Sequence, residues 1–408
     1  MSLKLDEVSR SSVPLGVRDP LTEIVGLAKR WDLKGRGGAG FPFSQKLLAV
    51  AENSSRLVRP SVVVNATESE PLSFKDRFLL TYYLDLVLEG AVLCARALSS
   101  SSIYLVTHAD VDNSLELVEA VRRFGDATRV KIEVVLTPSA LVSGQETSVV
   151  AAVNGESRPL PRMQPPRVSI SGVKGRPTLL SNAETYARLA QARRIELSGG
   201  SHDGTGSLSY LGTVHLKTGE SYIVDSDPSI SVSDILESLR APVNDSSIYL
   251  VGGYFGRFYR SIDPRLRRAL SAPKNSQGVG FGAGLVVEID RHGCISGEVA
   301  FLSRWLSLQS AGQCGPCKKG LPQVADEFEQ LVLGGGGDRE KILRWTAQIR
   351  GRGGCALPDS VCDLLESFFK VAPDEVRVHQ SGACQRPYQR QFEELHRDFD
   401  WDTASHGV

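Results

Sequence analysis

Strand-like and helical segments alternate through the first half of the chain, and that alternation constrains the fold more than any other feature. Arg59 to Val64 is a short β-branched run with a proline near its start. Asp76 to Leu98 carries a long helical pattern, Ser102 to Thr107 is strand-like, Val111 to Phe124 helical, and Val130 to Leu136 strand-like again. Strand alternating with helix predicts an α/β layer with a largely parallel sheet over residues 1–200. The class is Rossmann-like or flavodoxin-like, in which ligands bind beyond the carboxyl ends of strands. The polar stretch Asn65-Ala-Thr-Glu-Ser-Glu70 occupies such a position.

The rest of the chain changes character twice. Ser198 to Ser207 is rich in Gly and Ser and reads as a linker. Residues 205–292 hold short strands (Leu208–Val214, Ser221–Val224, Ser247–Val251, Leu285–Ile289) around one helix, Val232–Leu239, which predicts a small β-grasp-like α+β domain. Residues 293–408 read as a helical bundle, with helices over Val299–Leu308, Lys318–Val332, Arg339–Ile349 and Asp359–Val371. Gly278–Gly284 and Gly334–Gly337 are expected to be turns without a ligand.

Lys+Arg 47 balance Asp+Glu 47, which removes the electrostatic case for nucleic acid or a membrane surface. The most apolar long stretch, Phe78 to Leu98, is interrupted by Asp85, Glu89 and Arg96, so a buried helix is expected and no direct membrane insertion. Met1 to Arg18 lacks a secretory signal pattern. Of the seven cysteines, Cys94, Cys294, Cys362 and Cys384 are scattered singly. The others form Cys314-Gly-Pro-Cys317 and Gly354-Cys355-Ala, a metal-site pattern expected in a reducing, cytoplasmic setting.

Three motifs carry chemistry. Lys34-Gly-Arg-Gly-Gly-Ala-Gly-Phe-Pro42 has four glycines in the six residues from Gly35 to Gly40. Such a loop can turn consecutive backbone N–H groups toward an anion, and Arg36 adds a charge. It lacks both the preceding strand of a Rossmann fingerprint and the Gly-Lys-Ser/Thr of a P-loop. Asn65 to Glu70, followed by Phe74-Lys-Asp-Arg77, offers amide, carboxylate and hydroxyl groups for the edge of a ring system, and serves equally as a helix N-cap. Cys314, Cys317 and Cys355 suit an iron–sulfur cluster, with zinc or a plain reduced pair as alternatives on spacing alone.

Together these stretches resemble the NADH-oxidising flavoprotein subunit of respiratory complex I and the diaphorase subunits of NAD-linked hydrogenases and formate dehydrogenases. Gly-Arg-Gly-Gly-Ala-Gly-Phe-Pro at 35–42 is similar to that family's glycine-rich loop, and Asn65–Arg77 to its second flavin motif. Gly144-Gln-Glu-Thr147 looks like its Gly-Glu-Glu-Thr, and Gly175-Arg-Pro-Thr178 with Ser181-Asn-Ala-Glu-Thr185 like its Gly-Lys-Pro-Thr…Asn-Asn-Val-Glu-Thr. The resemblance implies an FMN domain over 1–200, a β-grasp-like (SLBB) domain over 205–292 and a helical iron–sulfur domain over 293–408. It implies FMN held by Gly35, Arg36, Gly37, Gly38, Gly40, Asn65, Glu68, Ser69, Gly144, Glu146 and Asn182, with Phe41 and Lys46 near NADH or NADPH. It further implies a cluster on Cys314, Cys317 and Cys355, single electrons passed to a small ferredoxin-like iron–sulfur protein, and a larger redox complex through which any membrane association would run.

Departures from the family pattern matter too. Ala311 stands where its first cluster cysteine would be, leaving three ligands for a 3Fe-4S cluster or an incompletely ligated 4Fe-4S cluster, with Cys362 or Cys384 as candidate substitutes. Thr67 replaces an Asp, Gln145 a Glu, and Ala49 an aromatic platform, while Gln164-Pro-Pro-Arg167 gains a cation where Lys and Phe are usual. Each lost aromatic contact should weaken dinucleotide binding by about 0.5–1.5 kcal/mol. Two alternatives follow: an FMN protein exchanging electrons with a ferredoxin-like partner without nicotinamide, or a non-catalytic assembly protein.

Overall fold

The computed structural model describes residues 19–38, 40–109, 114–157, 160–162, 166–199, 208–241, 247–271, 279, 281–334, 336–382, 384–386 and 391–397. It divides into two compact units, the first of residues 1–69, 74–211 and 225–228, the second of 70–73, 212–224 and 229–408. Most of the 198–207 linker, Gly278, and Gln164 with Pro165 lie outside the described residues.

The first unit begins with helices α1 (Pro20–Arg30) and α2 (Phe43–Glu52), then β1 (Ser61–Asn65), α3 (Lys75–Tyr82), α4 (Leu84–Ala97), β2 (Ser102–His108), α5 (Ser114–Thr128) and β3 (Ile132–Thr137). It continues with α6 (Glu146–Val153), β4 (Thr178–Asn182) and α7 (Ala183–Leu197). Its sheet has the order β3-β2-β1-β4, all pairs parallel. The expected alternation is therefore present. β1 is buried through Val62, Val63 and Val64, as a central parallel strand covered on both faces must be. α1, α2, α6 and α7 are additions to the elements expected here, and two further features depart from the sequence reading. The long helical pattern from Asp76 breaks after Tyr82, and α3 meets α4 at a 93° bend. Neither Gly nor Pro marks that break; the Phe78 ring sits 5.2 Å from Tyr82 and 5.5 Å from Tyr83, centroid to centroid. β4 is not expected from the sequence, because Thr-Leu-Leu-Ser-Asn has no β-branched alternation.

α4 is buried along most of its length, and its Gly90 lies so close to α7 that a Cβ there would meet the Tyr186 carbonyl at 2.0 Å. That contact explains the apolar stretch without a bilayer. Among the described residues no single helix is long and apolar enough to cross a membrane.

The second sheet contains β5 (Tyr210–His215), β6 (Ser221–Ser226), β7 (Ile248–Val251), β8 (Arg257–Arg260) and β9 (Leu285–Ile289) in the order β6-β5-β9-β7-β8. β5 and β9 run parallel, and β7 is antiparallel to both β8 and β9, so the sheet is mixed. α8 (Val232–Ser238) starts with a capping box, Ser231 and Asp234 each satisfying the other's backbone N–H. Helices then follow: α9 (Ile295–Leu308), α10 (Leu321–Val332), α11 (Arg339–Ile349), α12 (Leu357–Val371), α13 (Pro373–Gln380) and α14 (Gln391–Arg397). β8, α13 and α14 are additions to the elements expected here; the others fall within a few residues of their expected bounds.

Glu70, in the second unit, is fully buried, and its carboxylate accepts the Tyr254 backbone N–H at 2.9 Å. Burial pushes its pKa up from 4.5 to about 7, against the pull of backbone N–H groups. Between those values the folded state binds the extra proton, so this group's contribution to stability is intact below about pH 4.5 and lost as pH rises through about 7. The loss is about 3 kcal/mol. His215, buried with its pKa lowered to about 4, slopes the opposite way, because its unfolded form takes up the proton first. Comparing wild type with Glu70→Gln in denaturant titrations at several pH values isolates the carboxyl: the difference should change across pH 4.5–7, and a constant difference would rule the assignment out.

Candidate functional site

In the first unit the chain runs from β1 to β2 to β3 on one side, while β4 returns to the other side of β1. The reversal creates a switch point between the carboxyl ends of β1 and β4, where open α/β sheets bind ligands. Asn65 and Asn182 end those strands as direct register partners. The Asn182 amide donates to the Asn65 carbonyl at 3.2 Å and to Asp76 Oδ2 at 2.8 Å. Its Oδ1 accepts from Glu184 N at 3.1 Å, capping α7.

The glycine loop is a closed excursion between α1 and α2. Lys34 and Pro42 form an antiparallel bridge, Gly35 N donates to Phe41 O at 2.8 Å, and Phe43 N to Leu33 O at 2.9 Å. Inside that neck Gly38 (φ 94°) and Gly40 (φ 64°) take left-handed conformations that side chains disfavour. Gly37 passes over Asn182, where an added Cβ would lie 3.7 Å from the Asn182 Cβ. Arg36 is held from both ends: its N–H donates to Thr185 Oγ1 at 3.0 Å, and Nη2 donates to Leu208 O at 3.1 Å. The guanidinium stacks 3.5 Å from the Tyr210 ring centroid. Arg36 is only 7% exposed, yet Nε and Nη1 are buried without a partner. Two unsatisfied cationic donors in a glycine-lined loop fit an anionic ligand group.

Around the strand ends the remaining residues converge. Asn65 Nδ2 donates to Gly144 O at 3.0 Å, and Thr67 Oγ1 donates to Asn65 Oδ1 at 2.6 Å. Gly144 lies close under Ser69: an added Cβ would fall 2.3 Å from Ser69 Oγ, so that hydroxyl would have to move. Lys46 Nζ bridges Glu146 at 2.8 Å and the Leu180 carbonyl at 2.6 Å, so this cation is engaged by the protein itself. Phe41 is exposed, offering a free ring face. Glu68 acts as a cap, alongside the ligand reading of its motif: its Oε2 accepts Asp76 N at 2.6 Å and Arg77 N at 2.9 Å at the start of α3. That cap positions Lys75.

Sequence patterns alone do not single out Lys75, Thr185 or Tyr210, although Lys75 lies within the Phe74–Arg77 motif and Thr185 ends the Ser181–Thr185 stretch. Lys75 Nζ is buried between Asn182 Oδ1 (2.8 Å), Asp76 Oδ1 (3.2 Å) and Glu184 Oε2 (3.4 Å). Burial alone would depress the ammonium, but Asp76, Glu184 and Glu68 outweigh it and hold the pKa above its ordinary value. The charge therefore persists beneath the strand ends.

In the second unit Cys317 lies within a π-turn (Pro316–Gly320), Cys314 precedes that turn by two residues, and Cys355 precedes α12. Burial opposes ionisation of Cys314, but N–H groups of Gly354 and Cys317 aimed at its sulfur outweigh that and hold it below the ordinary thiol range. Burial and then the Cys314 sulfur push Cys317 up to about 12, and the Ser310 hydroxyl also reaches Cys317. Burial raises Cys355, with Cys314 again among its neighbours. Three sulfurs that perturb one another, one of them facing backbone N–H donors, fit a cluster that ligates deprotonated cysteines. The two candidate substitutes for the missing ligand are engaged elsewhere. Cys362 donates to Thr346 O at 3.3 Å, and Cys384 groups with Cys294 and His379.

Comparison with known proteins places this geometry. A family profile described as the Nuo51 FMN-binding domain matches residues 28–191, and one described as the NADH-ubiquinone oxidoreductase-F iron-sulfur binding region matches 298–379. The chain is 25% identical over 405 residues to the F subunit of NADH-quinone oxidoreductase in Rickettsia bellii, covering 90% of this chain and 94% of that one. It is 27% identical over 404 residues to the protein of that name in Mycobacterium tuberculosis, covering 90% and 86%. Among solved structures it resembles an NAD+-reducing [NiFe]-hydrogenase in the air-oxidized state, with TM-score 0.76 and 25% identity over 88% of this chain. The chain spans 63% of that hydrogenase chain.

Proposed function

Since the chain belongs to the family of NADH-oxidising flavoprotein subunits of respiratory complex I and the related hydrogenase diaphorases, we propose that it oxidises NADH or NADPH at FMN and passes electrons through an iron–sulfur cluster to a partner redox protein. The observation that carries the flavin half is buried Arg36 with two unpaired donors inside the glycine loop. Held there, FMN would supply two-electron chemistry toward a nicotinamide, and a cluster on the cysteines would supply one-electron transfer. The protein's own residues supply position and charge. Arg36 and the backbone of Gly35, Gly37, Gly38 and Gly40 would hold the phosphate; Asn65, Ser69, Gly144, Glu146 and Asn182 would line the flavin; Phe41 and Lys46 would face the dinucleotide. Glu68 acts one step back, fixing α3 and hence Lys75. Cys314, Cys317 and Cys355 would hold the cluster.

The finer architecture belongs to the same proposal: an FMN domain over 1–200, a β-grasp-like (SLBB) domain over 205–292 and a helical iron–sulfur domain over 293–408. A mixed sheet around one helix, followed by six helices, supports it. The partner is a small ferredoxin-like iron–sulfur protein of a larger redox complex on the reducing, cytoplasmic side, with any membrane association made through other subunits.

A second reading keeps FMN and drops the nicotinamide. Thr67, whose hydroxyl is spent on Asn65, and the small Ala49 favour it, because both remove groups that would grip a dinucleotide. Anaerobic optical titration with NADH and then NADPH separates the two. Bleaching of the flavin by either nucleotide is the expected result and chooses the cofactor. A flavin reduced by ferredoxin and by neither nucleotide would transfer the function to the second reading; protein that binds neither FMN nor iron would make it an assembly protein. Cys355→Ser should lose iron–sulfur absorbance while its flavin still bleaches.

A further inference from the structure

Three residues that the electron-transfer reading leaves unused meet in the second unit. Cys294, His379 and Cys384 each bring a ligand atom within 4.8 Å of the others. Cys294 is the N-cap of α9, His379 lies in the last turn of α13, and Cys384 belongs to the segment after it. Cys294 Sγ is 3.1 Å from His379 Nε2. His379 Nδ1 lies 2.9 Å from the Val332 carbonyl, which can only accept. The ring proton therefore sits on Nδ1, and the Nε2 lone pair is directed at sulfur. This is the second-sphere arrangement that orients metal-binding imidazoles. Gly297 N donates to Cys294 Sγ at 3.2 Å, which fixes the sulfur at the start of α9. Cys294 and His379 are buried, and Cys384 is partly accessible. Glu375, one turn before His379 on α13, is buried too and paired with Arg386.

We propose that Cys294, His379 and Cys384 bind one zinc ion, distinct from the group on Cys314, Cys317 and Cys355. Two sulfurs and one imidazole are a borderline-soft donor set that suits zinc, and a water completes the tetrahedron. Both thiols release their protons to solvent on binding, so affinity rises with pH. The ion ties the start of α9 to the chain beyond α13. That chain continues into α14, whose first N–H groups (Gln391, Phe392) are capped by Glu298 at 3.0 Å each.

The test uses full-length protein and measures zinc and iron together by elemental analysis. Wild type should carry about one zinc per chain in addition to its iron. Cys384→Ser, a change at the accessible ligand, should lower zinc at least about 10-fold while iron and flavin content stay unchanged. As a check independent of variant folding, zinc-depleted wild type titrated with Co2+ should develop thiolate-to-metal absorption, and Cys384→Ser should not. Wild type without that band, equal zinc in wild type and variant, or a Cys294–Cys384 disulfide recovered from anaerobically purified protein would each overturn the proposal.

Discussion

Lys75→Met should destabilise the first unit by about 3–5 kcal/mol, the cost of removing one member of a buried charge group. Methionine is close to lysine in volume, so cavity formation contributes little, and the penalty comes from the carboxylates left behind. Asp76 and Glu184 would face each other across Asn182 without the ammonium that now lies within 3.4 Å of both. The effect extends to the site, because Asn182 Oδ1 loses its Lys75 donor and its amide is shared with Asp76. A fall of roughly 10 °C in Tm is expected for a unit of this size, with weaker flavin retention. The double variant Lys75→Met/Asp76→Asn should recover part of the loss, since it removes one of the stranded charges. A Tm within a degree or two of wild type for Lys75→Met would show that the network contributes little.

Arg36→Gln should weaken FMN binding about 10- to 100-fold, the range for losing charge-assisted hydrogen bonds of about 1.5–3 kcal/mol. Arg36 also has a structural part, through Leu208 O and the Tyr210 ring, so affinity alone would not separate the two roles. Riboflavin does. It has the same ring system and no phosphate, so the wild-type preference for FMN over riboflavin should largely disappear in Arg36→Gln while riboflavin affinity stays nearly constant. If both affinities fell equally, Arg36 would be a scaffold residue and the phosphate would lie elsewhere.

Much of this site was legible in the chain because its signals are local. Consecutive glycines around Arg36 mark a backbone that must bend, whatever surrounds it. The β-branched runs at β1 and β2 read correctly for the same reason: strand preference is carried by residues a few positions apart. β4 shows where such reading stops. Thr178-Leu-Leu-Ser-Asn182 has no strong preference of its own and becomes a strand by pairing with β1. The break at Tyr82–Tyr83 is similar: the Phe78 ring packs beside both tyrosines there, and no helix-breaking residue marks it in the sequence.

The sequence by itself determined the α/β class, the glycine-rich loop around Arg36 and the Cys314-Gly-Pro-Cys317 pair, each written in residues close together along the chain. Only the tertiary structure decided which partners they meet. The register of two parallel strands sets Asn65 beside Asn182, and the return of the chain at Leu208 and Tyr210 presses carbonyl and ring onto Arg36 while leaving two donors bare. Cys294 and His379 lie 85 residues apart and look like isolated residues in sequence. Contacts across such separations leave no spacing to read, because the folded core, and not the local chain, brings the groups together.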